Sequence, residues 1–178
     1  MEIDVNVKKN EGLVILCGPT TTGKTGIARR ILKQYKGSNG ELISYESSYS
    51  KKNKKANEKH EFEFFKKASP KIKKSIEAKN FTVLKTTIVT DVELYALLTS
   101  VRILGYTGKI TLIMIDLDEE THINYLRNRK RGVKPSVKEL KKQRKLFYEQ
   151  IMPNLDFNRL ANKYVVKDPN DVTIKFVN

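Results

Sequence analysis

An unbroken apolar run, Leu13 to Cys17, ends at Gly18 to Thr25, a segment of small residues apart from Lys24, and this succession limits the fold more than any other feature. An apolar run without alternation is typical of a strand buried on both faces of a parallel sheet. After the small residues, apolar side chains recur at helical spacing until Gly37, at Ile27, Ala28, Ile31 and Leu32. The pattern predicts a buried strand, a tight turn and a helix in direct succession.

Strands and helices are predicted to alternate along the rest of the chain. Short strands are predicted at residues 3–7, 41–45, 81–84, 110–115, 164–166 and 172–177. Helices are predicted at residues 24–35, 90–104, 118–129 and 136–151. Helical spacing from Phe62 to Ile76 is predicted to break at Ser69-Pro70, because proline favours the first helical position. The alternation indicates one α/β domain over residues 1–178, with a mostly parallel five-stranded sheet flanked by helices.

The small residues fit the Walker A pattern G-x-x-x-x-G-K-[ST], and the predicted strand and helix supply the context that this motif requires. Glycines let successive backbone N–H groups face phosphate oxygens, and a helix N-terminus adds partial positive charge. The pattern therefore predicts the three-layer P-loop NTPase fold. The residues predicted to bind ATP are Gly18, Pro19, Thr20, Thr21, Thr22, Gly23, Lys24 and Thr25. Lys24 would bridge the β- and γ-phosphates as a catalytic residue, and Thr25 would bind Mg²⁺.

The positive charge is concentrated in two segments. The chain has 35 Lys and Arg against 20 Asp and Glu, a net charge of +15. Residues 51–79 carry +7, residues 127–145 carry +9, and the remainder carries −1. A concentrated basic segment indicates an acidic partner, although a solvated helix face is the alternative for residues 51–79.

Several protein classes are excluded by the sequence. No apolar run approaches the roughly 18 residues of a membrane span. The first residues lack the basic start and apolar stretch of a secretion signal, and the lone Cys17 excludes an intrachain disulfide and a cysteine-based zinc site. A cytoplasmic location without a membrane partner is expected. His60 and His122 are isolated in polar surroundings and are interpreted as surface groups.

The run Arg127-Asn128-Arg129-Lys130-Arg131-Gly132 follows one predicted helix and precedes the next. A small kinase needs a basic lid over the transferring phosphoryl group, whose oxygens carry the charge, and guanidinium groups suit this task. We therefore expect a small Arg-rich lid at about residues 127–136, with Arg127 and Arg131 as catalytic residues. A basic helix end that neutralises the helix dipole is the alternative.

The predicted strand at residues 81–84 is followed by Lys85-Thr86-Thr87, without the acidic residue that motors and GTPases carry there. An Asn-Lys-x-Asp base-reading motif is also absent from the sequence. Both absences argue against a motor or a switch GTPase and favour a kinase.

At these residues the chain resembles the P-loop kinase superfamily, nearest the polynucleotide 5′-kinase and zeta-toxin-like branch. The resemblance covers residues 13–150 and includes the Walker A loop, the strand end at residues 43–46 and the lid run. It implies that Glu46 is the catalytic base, in place of the Asp of that branch, and that Tyr49 stands where an Arg is usual. Lys85 and Thr86 replace an Asp-Asn pair.

A second resemblance is to guanylate-kinase-like enzymes. Pro19 has the position of the early proline of their loop, and Lys52, Lys55 and Glu58 keep the spacing of the residues that hold GMP there. Replacing Arg by Lys loses bidentate phosphate geometry, however, and the nucleotide-monophosphate insert is short or missing.

The leading hypothesis is an ATP- and Mg²⁺-dependent phosphotransferase acting on a nucleic-acid hydroxyl, most simply a polynucleotide 5′-OH or a hydroxyl on a modified base. An acceptor-side insert at about residues 46–80 would then contact nucleic acid through Lys51 to Lys79, with binding that weakens steeply with salt. The alternatives are a guanylate-kinase-like nucleoside monophosphate kinase or other small-molecule kinase, for example of nucleotide sugars, and a nucleic-acid-binding module that binds ATP without transferring phosphate.

Lys24→Ala should abolish most nucleotide affinity, because it removes the cation predicted to bridge the β- and γ-phosphates. A charge-assisted contact of this kind contributes about 1.5–3 kcal/mol, which corresponds to a tenfold to hundredfold weaker Kd. Fluorescence titration with ATP and GTP measures the loss, and equal affinity of the variant and the wild type would contradict the Walker A assignment.

Overall fold

The computed structural model describes residues 1–45, 58–130 and 134–178. Its strands are β1 (Glu2–Asn6), β2 (Gly12–Cys17), β3 (Gly40–Tyr45), β4 (Phe81–Thr86), β5 (Ile110–Ile115), β6 (Asn162–Val166) and β7 (Thr173–Val177). Its helices are α1 (Lys24–Gln34), α2 (Glu58–Glu77), α3 (Asp91–Ile103), α4 (Glu119–Asn128), α5 (Val137–Leu146) and α6 (Phe157–Leu160). None of the helices in these ranges is long and apolar enough to cross a membrane.

Five strands form one sheet in the order β3-β4-β2-β5-β6, and every neighbouring pair is parallel. The apolar strand β2 lies at the centre, and all six of its residues are buried. Its register pairs Leu16 with Lys85 of β4 and Cys17 with Met114 of β5. The predicted five-stranded parallel sheet is therefore confirmed, and the segment after β2 leaves the sheet at its middle.

The sheet separates two apolar layers, which makes the architecture three-layered. On one face, α1 packs against β2 and β4 through Ile27, Ala28, Ile31, Val14, Leu16, Phe81 and Val83. On the other face, α2, α3 and the π-helical turn Phe147–Ile151 that continues α5 pack through Ala68, Ile72, Leu94, Leu97, Phe147 and Ile151. Each fully buried aliphatic or aromatic side chain contributes about 1.5–3 kcal/mol, so the two layers hold the helices on the sheet.

The first and last predicted strands pair with each other rather than with the main sheet. β1 and β7 form a separate two-stranded parallel sheet in which Ile3 pairs with Ile174. The Asp4 backbone N–H donates to the Tyr164 hydroxyl of β6 at 3.2 Å, and Ile3 and Val5 are buried in the α1-side core. The two ends of the chain are thereby joined beside the main sheet.

The predicted break at Ser69-Pro70 is wrong, because α2 continues through Pro70. Proline inside a helix removes one hydrogen bond and costs about 3 kcal/mol. Ala68, Ile72 and Ile76 nevertheless lie buried on one face of α2, on both sides of the proline. Burial of that continuous face offsets the local cost, which residue preferences alone do not reveal.

The predicted helix starts are confirmed by their caps. The Thr90 hydroxyl accepts from the Glu93 backbone N–H at 3.4 Å, and the Ser136 hydroxyl accepts from the Glu139 N–H at 3.1 Å. Asp118 caps α4 in the same way, accepting from the Thr121 N–H at 2.9 Å. These caps fix where α3, α4 and α5 begin.

Phe81→Ala should destabilise the fold by about 3–5 kcal/mol, because it opens a cavity at a fully buried junction of three elements. The Phe81 ring of β4 stacks on Tyr35 after α1 at 4.3 Å between centroids and meets Phe176 of β7 edge-on at 5.8 Å. Urea denaturation measures the change. Val92→Ala, at a side chain 61% exposed, is the control and should change stability by less than about 0.5 kcal/mol.

Candidate functional site

The segment between β2 and α1 adopts backbone conformations that favour glycine. Gly18 has a φ of +135° and Gly23 a φ of +93°, both strained for residues with a side chain. A Cβ on Gly23 would also lie 3.0 Å from side-chain carbons of Pro169. Thr21 has a φ of +61°, which is uncommon for a β-branched residue. Contacts with the surrounding structure must therefore maintain the loop.

Helix α1 begins at the end of this loop without a side-chain cap. Its N-cap is Gly23, and no acidic residue occupies its first turn. The backbone N–H groups of a helix N-terminus carry partial positive charge and lack partners within the helix. This end of α1 is therefore suited to bind an anion such as a phosphate group.

The ammonium of Lys24, the first residue of α1, is held against the loop. Lys24 is only 5% exposed, and it donates to the Gly18 carbonyl at 3.0 Å, to the Pro19 carbonyl and to the Thr22 hydroxyl at 3.3 Å. The Thr22 hydroxyl itself donates to the Pro19 carbonyl at 3.2 Å. Lys24 therefore ties both ends of the loop together and brings a positive charge to the N-terminus of α1.

The backbone N–H and the carbonyl of Thr20 are both hydrogen-bonded to side chains from outside the loop. The Thr20 backbone N–H donates to the Gln143 side-chain oxygen of α5 at 2.9 Å. The His122 ring of α4 donates from Nε2 to the Thr20 carbonyl at 2.6 Å. All three residues are buried, so these bonds form away from competing water. Helices α4 and α5 thus fix the middle of the loop.

The interpretation of His122 as a surface group is wrong, because its side chain is fully buried. Its Nε2 faces a carbonyl and must donate, whereas its Nδ1 lies 3.1 Å from the Arg144 guanidinium and must accept. This pairing requires the neutral ring. The pKa of His122 falls to about 4, mainly because of burial. The Thr20 carbonyl opposes this shift, and the positive charges of Arg144 and Lys24 add to it.

Helix α5 is anchored to the end of β5 next to this network. Arg144 donates to the Leu117 carbonyl at 2.8 Å and lies over the Tyr148 ring, 5.0 Å from its centroid. The Tyr148 hydroxyl donates to the Asp116 carboxylate and to the Leu117 carbonyl, and burial raises the pKa of Tyr148. These contacts position Gln143 and Arg144 against the loop.

A pocket of about 400 Å³ opens beside the loop. It is lined by loop residues 20–25 and by Ser44, Lys85, Thr86, Thr87, Tyr125, Asn128 and Arg129. Arg129 reaches the loop directly, because one guanidinium nitrogen donates to the Thr21 hydroxyl at 3.1 Å and to the Thr20 hydroxyl at 3.3 Å. The pocket therefore joins an anion-binding helix end to three cationic side chains.

Of the residues predicted to be catalytic, Lys24 lies in the pocket and Arg127 does not. Arg127 is exposed on the last turn of α4. On a helix, residues three apart share a face, so Asn128 follows Tyr125 to the pocket side. Arg129 reaches the pocket from the extended backbone directly after α4. Glu46, Tyr49 and Arg131 lie outside the described residues, as do Lys52 and Lys55, so their predicted roles stay predictions.

Four residues that hold the site were not among the predicted site residues, although Arg129 belongs to the run predicted as a lid. These are Lys85, His122, Arg129 and Gln143. The sequence pattern could have indicated two of them. Gln143 interrupts the apolar helix face that contains Leu140 and Phe147. His122 lies one helical turn before the apolar Leu126. A polar side chain on a buried helical face needs a partner, and here the partner is the loop backbone.

The described residues do not fit a magnesium site at Thr25. Its hydroxyl accepts a hydrogen bond from the Lys85 ammonium at 2.9 Å. No carboxylate lines the pocket within the part of the chain that the structure describes, and those residues contain no cluster of three acidic, His or Cys groups. Mg²⁺ in nucleotide sites usually binds through carboxylates together with the phosphates. The role of Thr25 as a metal ligand stays a prediction.

Comparison with known proteins identifies the fold. No protein-family model matches the chain, and no curated protein matches it in sequence. A sugar kinase from Janibacter sp. HTCC2649 matches with a TM-score of 0.62 and 13% identity, over 90% of this chain and 88% of that one. Deoxyadenosine kinase from M. mycoides with bound dATP matches with a TM-score of 0.58 and 17% identity, over 88% and 93% of the two chains.

Chaetomium thermophilum Kti12, in complex with ADP-AlF3, matches with a TM-score of 0.56 and 14% identity, over 87% of this chain and 88% of that one. At these identities the likeness establishes the fold alone. The chain therefore has the three-layer P-loop fold seen in kinases, as its Walker A segment predicts.

His122→Gln should flatten the pH dependence of stability between pH 7 and pH 5. Because the pKa of His122 falls to about 4 on folding from an ordinary value of 6.5, the unfolded chain binds the extra proton in this range and wild-type stability decreases as the pH falls. This group accounts for about 2 kcal/mol of the loss. Urea denaturation at both pH values measures it, and equal losses in variant and wild type would contradict a neutral buried ring.

Proposed function

We propose that the protein is an ATP-dependent phosphotransferase, a P-loop kinase that transfers the γ-phosphate of ATP to a hydroxyl. The observation that carries the proposal is the convergence of Lys24 and Arg129 on one loop at the uncapped N-terminus of α1. Phosphoryl transfer depends mainly on positioning and on positive charge around the transferred group. Two solved structures of the same fold are described as kinases, one of them with bound dATP, and Kti12 is described in complex with ADP-AlF3. These bound nucleotides support ATP as the donor.

In the proposed reaction the acceptor oxygen forms a bond to the γ-phosphorus while the bond from that phosphorus to the β,γ-bridging oxygen breaks. ADP leaves, and the acceptor proton passes to a base, for which the sequence resemblance suggests Glu46. Lys24 would neutralise charge on the β- and γ-phosphate oxygens. Arg129 would stabilise charge on the equatorial oxygens from the lid side, where it bonds the Thr20 and Thr21 hydroxyls.

For the acceptor, we propose a nucleic-acid hydroxyl, most simply a polynucleotide 5′-OH. The support is electrostatic, because residues 51–79 carry +7 and Lys71, Lys73 and Lys74 of α2 are exposed to solvent. A cationic helix face can follow a phosphate backbone. The polynucleotide-kinase branch of the resemblance supports the same acceptor.

A small-molecule acceptor is the second candidate. Fold neighbours described as a sugar kinase and a deoxyadenosine kinase favour it. A pocket of about 400 Å³ also matches the size of small-molecule sites.

Transfer of labelled γ-phosphate from ATP tests the proposal. The acceptors are 5′-OH DNA, 5′-OH RNA, GMP, deoxynucleoside monophosphates, deoxyadenosine and UDP-N-acetylglucosamine, with a 5′-phosphorylated oligonucleotide as the matched control. Labelled 5′-OH polynucleotide confirms the first acceptor, and a labelled small molecule confirms the second. ATP binding without any labelled product would favour a binding module that transfers no phosphate.

Arg129→Ala should lower kcat by about 100-fold with a smaller change in ATP affinity, because lid charge acts mainly on the transition state. The sequence predicts a catalytic role for Arg127, whereas the structure has Arg127 exposed outside the pocket and Arg129 lining it. Arg127→Ala should therefore lower kcat less than Arg129→Ala does. A larger loss at Arg127 than at Arg129 would contradict the assignment. Arg159→Ala, at an exposed position on α6, controls for loss of surface charge. Steady-state kinetics on the labelled acceptor measure all three variants.

A further inference from the structure

The Lys85 ammonium lies beside Thr25, the residue predicted to bind Mg²⁺. Side chains alternate along a strand, and Phe81 and Val83 of β4 face the α1-side core. The same alternation directs Lys85 toward α1, where Thr25 stands in the first turn. The Lys85 ammonium donates to the Thr25 hydroxyl at 2.9 Å, and both residues line the pocket.

This contact opposes a divalent cation at Thr25 in two ways. The ammonium uses the hydroxyl oxygen that a metal would need, and its own charge repels a second cation at a similar distance. The described pocket residues supply hydroxyls, an amide and cations, but no carboxylate. A lysine ammonium is itself a compact cation that can bind phosphate oxygens.

We propose that the Lys85 ammonium takes the place of the divalent cation beside Thr25, so that the protein binds a nucleoside triphosphate without Mg²⁺. Together with Lys24 and Arg129 it surrounds the pocket with three positive charges, against the four negative charges of free ATP. The inference rests on the proposed nucleotide site. It concerns only the binding of the nucleotide and not the transfer of the phosphoryl group.

The test is equilibrium binding of ATP by calorimetry, in MgCl2 and in EDTA. For the wild type we expect the two Kd values to agree within about threefold. Lys85→Asp places a carboxylate beside Thr25, so it should bind ATP in MgCl2 and lose at least about tenfold in affinity in EDTA. Lys85→Gln, which keeps a polar side chain of similar length, should bind about tenfold more weakly than the wild type in EDTA.

Lys109→Asp is the matched control, because it makes the same charge change at an exposed position. Lys109 directly precedes β5, at the amino-terminal end of the parallel strands, whereas the loop follows the carboxyl end of β2. It should keep the wild-type ratio of the two Kd values. Thermal unfolding of every variant shows whether it is folded.

Two results would overturn the inference and are distinguishable from each other. A wild type that binds ATP only with Mg²⁺, with Lys85→Gln unchanged, would refute the role of Lys85 and leave the proposed kinase intact. Absence of ATP binding under both conditions would refute the nucleotide site, and with it both proposals.

Discussion

The structure of the site depends on how the loop between β2 and α1 is held. The loop contains positive φ angles at Gly18, Thr21 and Gly23, which an isolated chain would not maintain. The strongest outside constraint is the pair of buried hydrogen bonds on Thr20, from its N–H to Gln143 and from His122 to its carbonyl. Because both partners come from α4 and α5, the geometry of the loop is coupled to the packing of these two helices.

That coupling has a chemical consequence. Charges aimed at a phosphoryl group act most strongly when they are fixed before the ligand arrives, since no reorganisation is then needed. Lys24, Lys85 and Arg129 are already bonded to loop or helix atoms, so their positions are set by the fold. Neutral His122 belongs to the same design, because a charged ring would face the Arg144 guanidinium in a buried place.

Sequence patterns predicted the scaffold well because its elements depend on local periodicity. The buried strand β2, the start of α1 at Lys24 after the Walker A segment, and the caps at Thr90 and Ser136 were all confirmed. The prediction failed where long-range burial outweighed a local preference. Helix α2 passes through Pro70 because its apolar face continues beyond it, and His122 is buried because α4 and α5 close over the loop.

By itself, the sequence determined the local geometry of the site, since G-x-x-x-x-G-K-T between a buried strand and a helix places an uncapped helix N-terminus next to a lysine. Only the tertiary structure decided which other cations share that site. Arg129 rather than Arg127 faces the pocket because of where α4 ends, and Lys85 meets Thr25 because β4 lies next to β2. Strand order and helix packing join residues distant in sequence, and no local pattern records those contacts.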